Sequence, residues 1–403
     1  MNTIYPPLIP DNFTTSTLLN IKIPHRYPAR MTSKIADFVI KNYTNEDDLI
    51  LDPFCGSGSV LTAASANKRR SIGTDINPVA VAIATSYTGR YQISKLRKYL
   101  DVVLEELERE NPIILKNYDK GLLYWFDPAV VGGILQIKAI IKKNIPKKYK
   151  LFFLVTLSSM VRSVSRADPK IFPPVYSKIM RQKKVEITYD EMKKSFEKKA
   201  LEAIVSAITI NKILVPGYRP KVKRMDAFEY LEWKYGEFDA IFTSPPYGFA
   251  QKYTRSTSLE LMTVFDVSRR GISMIDKQDI GSELIASAEP DYTESMPSWL
   301  FEDNLGSYNS KMLISRYLTK MDKFIATSYK ALKNGGKLLL LVGENRIGGG
   351  TIPIVDYLVK SSKKSGFQLQ GSYIDRIKNY SLFTKRNSNS GVMRNEYLLV
   401  LKK

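Results

Sequence analysis

The four residues Ser244-Pro245-Pro246-Tyr247 follow the apolar run FDAIFT at positions 238–243. Because proline has no N–H to donate to a sheet, the two prolines end this strand and turn the chain in a stiff conformation. Such a turn either only ends the strand or forms the rigid edge of a pocket, where carbonyl groups and a tyrosine ring contact a ligand. The choice depends on what the rest of the sequence places beside it.

A glycine-containing loop and an acidic residue indicate a second binding element. Gly56 and Gly58 lie between a predicted strand and a predicted helix, where a missing Cβ lets a ligand approach the backbone near the helix N-terminus. Asp75 ends the next strand, close to the spacing at which an acidic side chain accepts hydrogen bonds from ribose hydroxyls. Leu61 stands where the dinucleotide-binding pattern has its third glycine. The pattern therefore favours a nucleoside-containing cofactor without requiring a pyrophosphate.

The histidine and cysteine content restricts the chemistry. One histidine, His25, and one cysteine, Cys55, fall far short of the clustered ligands of a structural zinc site. A single cysteine cannot form an internal disulfide, which fits a reducing cytosol. A Ser-His-Asp triad would have to recruit His25 from a proline-flanked N-terminal segment. We therefore predict neither a metal site nor a histidine-activated nucleophile.

Alternating strands and helices must position these residues. Helices are predicted after the glycine loop and from Asn77-Pro78, and another over 318–336, closed by Asn334-Gly335-Gly336. The last two strands, FQLQGSYIDRI and NEYLLVLKK, read as an antiparallel pair. This order predicts an α/β fold with a doubly wound sheet and an antiparallel C-terminal hairpin. The other predicted strands are 48–52, 70–75, 238–243 and 337–343.

A basic helical region, residues 93–215, separates the two halves of the predicted sheet. Apolar content of 44% and charged content of 25% are ordinary globular values, but the chain carries a net charge of +21. Residues 138–199 contain 17 Lys and Arg against five Asp and Glu, more than half of that excess. Such a concentration favours a polyanionic partner such as nucleic acid. A solvated helical face or a protein interface stays the alternative.

Three motifs resemble those of the amino-methyltransferases of DNA. These enzymes use S-adenosylmethionine and have a Rossmann-like sheet. The motifs are DPFCGSGSVLTAA from residue 52, IGTDINPVAV from residue 72 and TSPPYG from residue 243. The resemblance implies a class I methyltransferase catalytic domain over 1–92 and 216–403, interrupted by 93–215 as a candidate target-recognition region. It implies S-adenosylmethionine as cofactor, bound by residues of four segments: Tyr27, Pro28, Ala29, Arg30; Asp52, Pro53, Phe54, Gly56, Ser57, Gly58; Asp75, Ile76, Asn77; Asp226, Ala227.

Within these segments the resemblance implies distinct contacts. Asp75 would bind the ribose, Asp226 would lie near the adenine, and the segment around Tyr27 would close over the methionine end. Asp226 also fits the cap of a helix, and both interpretations stay open.

The turn at Ser244 acquires a chemical role through the same resemblance. The exocyclic amine of cytosine or adenine is a poor nucleophile because its lone pair is delocalised into the ring. Ser244 and the Pro245 carbonyl would accept the amine hydrogens and direct the lone pair at the methyl carbon. Pro246 would stiffen the turn, and Tyr247 would stack on a base rotated out of the duplex. Methyl transfer would be a direct displacement governed mainly by positioning.

The residue type at position 244 bears on which base is methylated. Serine at the first position of the turn is more frequent among cytosine-N4 enzymes, whereas adenine-N6 enzymes more often carry Asp or Asn. We therefore expect cytosine N4 methylation. Adenine N6 methylation, RNA base methylation and non-catalytic nucleic-acid binding are the alternatives.

The partners follow from charge and resemblance. We expect double-stranded DNA and a cognate restriction endonuclease that acts separately. The apolar run 151–161 is too short to span a bilayer, and the N-terminus lacks a signal-peptide pattern. We expect a cytoplasmic, nucleoid-associated protein of a prokaryote. The candidate phosphate contacts are Arg162, Arg166, Arg181, Lys183, Lys184, Lys252 and Arg255.

Overall fold

One seven-stranded sheet forms the centre of the protein in the computed structural model. The structure describes residues 22–28, 30–109, 113, 119–183, 186–248, 252–282, 308–343, 345–347, 350–376 and 395–403. The strands of the sheet are β1 Leu49–Asp52, β2 Arg70–Asp75, β3 Lys221–Arg224, β4 Phe238–Thr243, β5 Leu332–Gly343, β8 Gln368–Arg376 and β9 Asn395–Lys402. A separate antiparallel pair is formed by β6 Asn345–Ile347 and β7 Gly350–Ile352.

The strand order is β3-β2-β1-β4-β5-β9-β8. Strands β1 to β5 run parallel, whereas β9 is antiparallel to both β5 and β8. The predicted doubly wound sheet with an antiparallel C-terminal hairpin is therefore confirmed. The order reverses between β1 and β4, and ligands of such sheets bind beyond the carboxyl ends of the strands at that reversal.

The edge strand β3 has no counterpart among the predicted strands. Its sequence, KVKR, is mostly charged and largely exposed, without the apolar run that marks the inner strands. Charged side chains on an edge strand prevent pairing with other chains. A strand of this kind is stabilised by its pairing with β2, which its own sequence does not reveal.

The helices fill the connections between the strands. None of those in the described residues is both long and apolar enough to cross a membrane. Their bounds are α1 Ser33–Tyr43, α2 Ser59–Ala66, α3 Pro78–Tyr87, α4 Ile93–Arg109, α5 Lys120–Trp125, α6 Pro128–Asn144, α7 Lys147–Val161, α8 Lys178–Lys183, α9 Tyr189–Ile213, α10 Ala227–Glu232, α11 Tyr253–Ser256, α12 Ser258–Thr263, α13 Arg269–Gln278, α14 Tyr308–Ala331 and α15 Ile354–Lys364.

Helix α14 ends earlier than predicted, and this corrects the expected end at Gly336. Its last carbonyls, at Lys330 and Ala331, accept hydrogen bonds from the backbone N–H groups of Gly236 and Glu237 at 3.0 and 2.8 Å. The chain then pairs at once with β4, and the register between β4 and β5 shifts by a bulge. Gly335, with φ of 78°, belongs to that irregular stretch rather than to a helix end.

The basic region forms a helical body with its own apolar interior. Helices α4, α6, α7 and α9 bury Phe152, Phe153 and Phe196 among many aliphatic side chains. Val155 of α7 and Ile210 of α9 pack instead into the core beneath the sheet. The helical body is thus fixed to one face of the sheet, while the domain boundaries at 93 and 215 stay a prediction.

Candidate active site

A cavity of about 830 Å³, partly open to solvent, lies beyond the carboxyl ends of β1, β2 and β4. Residues predicted from separate motifs line it together. Of the predicted cofactor and catalytic residues, Gly58, Pro245 and Tyr247 are not part of its lining, and Ala29 lies outside the described residues. The predicted residues that line it are Tyr27, Pro28, Arg30, Asp52, Pro53, Phe54, Gly56, Ser57, Asp75, Ile76, Asn77, Asp226, Ala227, Ser244 and Pro246.

Asp75, at the end of β2, organises the glycine loop. Its carboxylate accepts hydrogen bonds from the backbone N–H groups of Gly56 at 3.0 Å and Asn77 at 2.8 Å. Burial raises the pKa of Asp75 to about 6, because a charged carboxylate is poorly solvated there. The carboxylate thus joins the loop after β1 to the start of α3 and also faces the cavity.

Asp52, at the end of β1, connects the glycine loop to the turn after β4. Its Oδ1 accepts hydrogen bonds from the Thr243 hydroxyl at 2.6 Å and the Phe54 N–H at 3.3 Å. Burial raises the pKa of Asp52 to about 7. Since Thr243 directly precedes Ser244, this hydrogen bond fixes the predicted catalytic turn relative to the predicted cofactor loop.

The two glycines of the loop serve different purposes. Gly56 has φ of 48°, and a Cβ there would lie 3.3 Å from the Tyr27 ring, so glycine leaves room for that ring. Gly58 has φ of 85° at the N-cap of α2, and a Cβ there would lie 3.1 Å from Cβ of Ala84 on α3. Gly58 therefore permits close helix packing and shapes the loop without lining the cavity.

The segment around Tyr27 is held from two sides. The ring of His25, 4% exposed, hydrogen-bonds the Ser158 hydroxyl of α7 at 2.9 Å, and burial lowers the pKa of His25 to about 4. The Arg26 guanidinium lies 3.9 Å above the ring of Phe172 and donates to the Pro169 carbonyl. A neutral, buried imidazole at physiological pH indicates a structural role for His25.

Asp226 is the N-cap of α10. Its Oδ1 accepts hydrogen bonds from the N–H groups of Phe228 at 2.9 Å and Glu229 at 3.2 Å. The same residue lines the cavity. The capping interpretation is therefore observed, and a contact with adenine stays a prediction that the position allows.

The turn after β4 is fixed through its tyrosine. Ser244 is partly exposed and faces the cavity, whereas Pro245 is buried. The Tyr247 side chain is 6% exposed, and its hydroxyl donates a hydrogen bond of 2.8 Å to the Glu396 carboxylate of β9. The ring is thus anchored to the antiparallel strand. Stacking of a base on it stays a prediction.

Several lining residues carry no sequence motif. Asp279 is the most informative of them, because burial raises its pKa to about 7 and its Oδ1 accepts a hydrogen bond from the Gly281 N–H at 3.0 Å. An acidic residue after an amphipathic helix gives no local signal of a site, and only the packing of α13 brings Asp279 to the cavity. The other unpredicted lining residues are Met31, Cys55, Ser59, Val60, Tyr253, Thr254, Gln278 and Ile280.

Gly281 packs against the predicted catalytic turn after β4. A Cβ at this position would lie 2.1 Å from the carbonyl oxygen of Gly248, the residue that follows Tyr247. Real Cβ atoms do not approach a backbone oxygen so closely, so only glycine fits between the two segments. The turn after α13 and the turn after β4 are therefore packed backbone against backbone.

The predicted phosphate-binding arginines of the helical body have partners within the chain. Arg166 donates to the Leu123 carbonyl at 2.8 Å and to the Asp127 carboxylate. Arg162 donates to the Asp168 carbonyl at 3.1 Å, and burial lowers its pKa. Phosphate contact by either arginine stays a prediction.

The other predicted phosphate contacts have different surroundings. Lys252 is the N-cap of α11, and Arg255 lines a second cleft. Arg181 and Lys183 belong to α8, but their side chains lie outside what the structure describes, as does the whole of Lys184. Contact of these five cations with DNA also stays a prediction.

Replacing Asp127 by alanine is expected to lower the free energy of unfolding by about 2 kcal/mol, because Arg166 would lose its partner in a half-buried place. Asp127 also accepts a hydrogen bond from the Ile187 N–H at 3.0 Å, which alanine would leave unmade. Urea denaturation measures the change. Asp127→Asn, which keeps an acceptor, should lose less. Equal stability of all three proteins would show that the ion pair contributes nothing to the free energy of unfolding.

Comparison with known proteins relates the chain to methylating enzymes. Residues 6–86 match the family model described as DNA methylase. The chain is 25% identical over 415 residues to the type II methyltransferase M.MvaI of Kocuria varians, across 94% of this chain and 90% of that protein. It is 38% identical over 85 residues to the orphan methyltransferase M.BamHII of Bacillus amyloliquefaciens, across 21% of this chain and 31% of that protein.

A solved structure, a SAM-dependent methyltransferase from Methanosarcina mazei, aligns with 94% of this chain and 98% of its own at 11% identity. Its TM-score of 0.32 is too low to bear on the fold or the function, so the fold class rests on the strand order itself. By sequence, the chain is similar to DNA methylases over residues 6–86 and, over nearly its whole length, to a type II methyltransferase.

Proposed function

We propose that this chain is a site-specific DNA methyltransferase that transfers the methyl group of S-adenosylmethionine to the exocyclic amine of a base rotated out of the duplex. The observation that carries the proposal is that the glycine loop, Asp75 and Ser244 line one cavity at the reversal of strand order. Similarity to DNA methylases and to a type II methyltransferase supports the reaction and the substrate class. The net charge of +21 suits a polyanionic substrate.

The residues of the cavity fit this cofactor. Its lining brings together the loop after β1, the end of β2 and the turn after β4. The buried carboxylates of Asp52 and Asp279 and the partly buried carboxylate of Asp75 line it and would complement the positive charge of a sulfonium ion. Asp75 would accept hydrogen bonds from the ribose, and the backbone at Gly56 and Ser57 would lie against the ligand. When bound, the cofactor supplies an activated methyl group.

The chain itself has to position and activate the amine. The Ser244 hydroxyl and the Pro245 carbonyl would accept the amine hydrogens and so direct the nitrogen lone pair at the methyl carbon. The Asp52–Thr243 hydrogen bond would hold this pair of acceptors at a fixed distance from the cofactor loop. Displacement then depends on alignment, which can contribute several kcal/mol without any covalent intermediate.

The nature of the base is proposed from Ser244, and cytosine N4 is the position we favour. Plasmid DNA is incubated with the protein and methyl-labelled cofactor, digested to nucleosides and analysed by mass spectrometry, with transfer RNA in a parallel reaction. We expect N4-methylcytosine. If the product were N6-methyladenine, the target base would be adenine. If product formed in transfer RNA only, the substrate would be RNA. Absence of product from both would refute methyl transfer.

Site specificity and the partner enzyme are proposed together. Methylation-sensitive sequencing of DNA from a host that expresses the chain should show modification confined to one short sequence. We further propose a cognate restriction endonuclease that acts separately on that sequence, supported by the type II class of the relatives. Modification spread over many unrelated sequences would remove the reason to expect such an endonuclease.

Cofactor affinity is expected to rise with pH between about 5 and 7 and to level off above. Without the cofactor, burial raises the pKa of Asp75 to about 6 and the pKa values of Asp52 and Asp279 to about 7. A bound sulfonium ion favours their charged forms, so binding lowers their pKa values. Each unit by which a pKa falls corresponds to about a tenfold gain in affinity across this interval. Calorimetric titration at several pH values measures it.

The matched ligand for this experiment is S-adenosylhomocysteine, which lacks the sulfonium charge and should show a flatter pH profile. Asp52→Asn should also flatten the profile for the cofactor. Stability of the empty protein should change in the opposite direction. Because the folded pKa values are raised, their destabilising effect is absent below about pH 4 and complete above about pH 7, so the melting temperature should fall across that interval. Identical profiles for the two ligands would contradict the charge assignment.

A further inference from the structure

A second and more open cleft of about 1170 Å³ lies between the helical body and the helices that follow the catalytic turn. One wall is formed by α5 and the loop after α7, and the other by α11, α12 and α13. The cleft therefore lies where the basic region meets the sheet-containing part of the chain. Its lining includes Lys120, Gly121, Tyr124 and Pro173 on one wall and Arg255 and Arg269 on the other.

The cleft combines positive charge with an exposed aromatic ring. Lys120, Arg255 and Arg269 are exposed, and no carboxylate belongs to the lining found in the described part of the chain. Asp119 comes within 3.7 Å of Arg269, but both side chains are about two-thirds exposed, so this pair is weak. Tyr124 is 48% exposed and lies edge-on against Trp125 at 4.9 Å, which fixes its ring.

Two helices connect this cleft to the candidate active site. On α11, Tyr253 and Thr254 line the active-site cavity, whereas Arg255 lines the cleft. On α13, Arg269 begins the helix at the cleft and Gln278 ends it at the cavity. A helix of that length spans about 14 Å, roughly four base-pair steps along the axis of a DNA duplex.

We propose that this cleft binds the sugar-phosphate backbone of DNA on one side of the target base, with its three cations on phosphates and Tyr124 against an adjoining sugar or base. The inference rests on the proposed function. Separate exposed cations match a row of phosphates, and a ring held edge-on by its neighbours offers a stacking face. The cleft extends the basic region to the catalytic turn and adds Lys120, Tyr124 and Arg269 to the candidate DNA contacts.

Gly121 offers a way to move one cation without removing it. A Cβ at this position would lie 1.1 Å from an Nη atom of Arg269, so the guanidinium packs directly on the glycine backbone. Because the end of an arginine is flexible, Gly121→Ala should displace the guanidinium while the backbone stays in place. The charge of the protein is unchanged in this variant.

The test measures the affinity of a 30-base-pair duplex of mixed sequence by fluorescence anisotropy at several salt concentrations. The triple variant Lys120→Gln, Arg255→Gln, Arg269→Gln should lower the slope of log K against log salt by about 2 to 3, at about 0.9 for each phosphate contact. The same variant should weaken binding at least tenfold at low salt. Tyr124→Ala should weaken binding about tenfold with an unchanged slope.

The matched control removes three exposed lysines of α15, which contributes to the lining of neither cavity: Lys360→Gln, Lys363→Gln and Lys364→Gln. This control should keep the wild-type slope, which excludes a general effect of lowered net charge. Affinity for S-adenosylhomocysteine verifies that each variant is folded. If the triple cleft variant loses that affinity, Gly121→Ala takes its place, with an expected fall in slope of about 1.

Failure of this inference and failure of the proposed function give different results. A wild-type protein that methylates plasmid DNA, with cleft variants that keep its slope and affinity, would overturn the cleft assignment and leave the function intact. A folded wild-type protein that neither binds the duplex nor methylates DNA would overturn both. An equal loss in the cleft and α15 variants would assign the effect to net charge and reject the cleft.

Discussion

Replacing Ser244 by alanine is expected to slow methyl transfer about 10²- to 10³-fold while cofactor affinity stays within twofold of wild type. Ser244 directly follows β4 and faces the cavity, so its hydroxyl can accept an amine hydrogen as the nitrogen becomes tetrahedral. The acceptor acts on the transition state and touches little of the cofactor, which is why the rate and not the binding should change. A single-turnover reaction with labelled cofactor on plasmid DNA measures the rate.

Two further variants make the result specific. Ser244→Asn keeps an acceptor oxygen and should retain more activity than alanine. Ser163→Ala removes a hydroxyl that hydrogen-bonds the Met160 carbonyl at 2.6 Å and the Ser195 hydroxyl of α9 at 3.1 Å, away from the cavity, and should leave the rate unchanged. A rate for Ser244→Ala equal to wild type would remove this residue from the mechanism.

Gly281→Ala is expected to reduce the methylation rate about 100-fold, although Gly281 is not among the residues that line the cavity. The added Cβ would stand 2.1 Å from the Gly248 carbonyl oxygen, so one of the two backbones must move by about 1 Å. A displacement of that size in the positioning of reacting groups commonly costs about two orders of magnitude in rate. The effect should appear in the single-turnover rate at saturating cofactor.

Gly335→Ala is the control for this substitution. Gly335 has φ of 78° with no atom within 4 Å of an added Cβ, so alanine there strains the backbone by about 1 kcal/mol without touching the turn. Both variants should lose some stability, but the methylation rate should fall only in Gly281→Ala. Equal rates in the two variants would show that the contact between the two turns does not position Ser244.

The parts of the fold that carry local patterns were predictable from the sequence. Strand β4 is an apolar run stopped by two prolines, and α3 opens with an Asn cap and a proline, as its geometry confirms. The cavity brings the motifs at Asp52, Asp75 and Ser244 together because each follows a parallel strand of one sheet.

The remaining features depend on contacts between distant residues. Asp279 reaches the cavity only because the end of α13 packs beside the turn after β4. The end of α14 is not predictable from local sequence. It is fixed by a hydrogen bond from the Glu237 N–H to the Ala331 carbonyl, and these residues lie far apart in the chain. Arg166 reads as a free cation in the sequence, yet its carboxylate partner Asp127 is 39 residues away. Local composition contains none of this information.

The stacking of Arg26 on Phe172 joins two segments that line different sites. Arg26 precedes Tyr27, which lines the active-site cavity. Phe172 precedes Pro173 and Pro174, which line the second cleft. A displacement of the Tyr27 segment would therefore be transmitted to the wall of the cleft through this contact. If the bound cofactor changed DNA affinity by some factor, bound DNA would have to change cofactor affinity by the same factor, because such coupling is reciprocal.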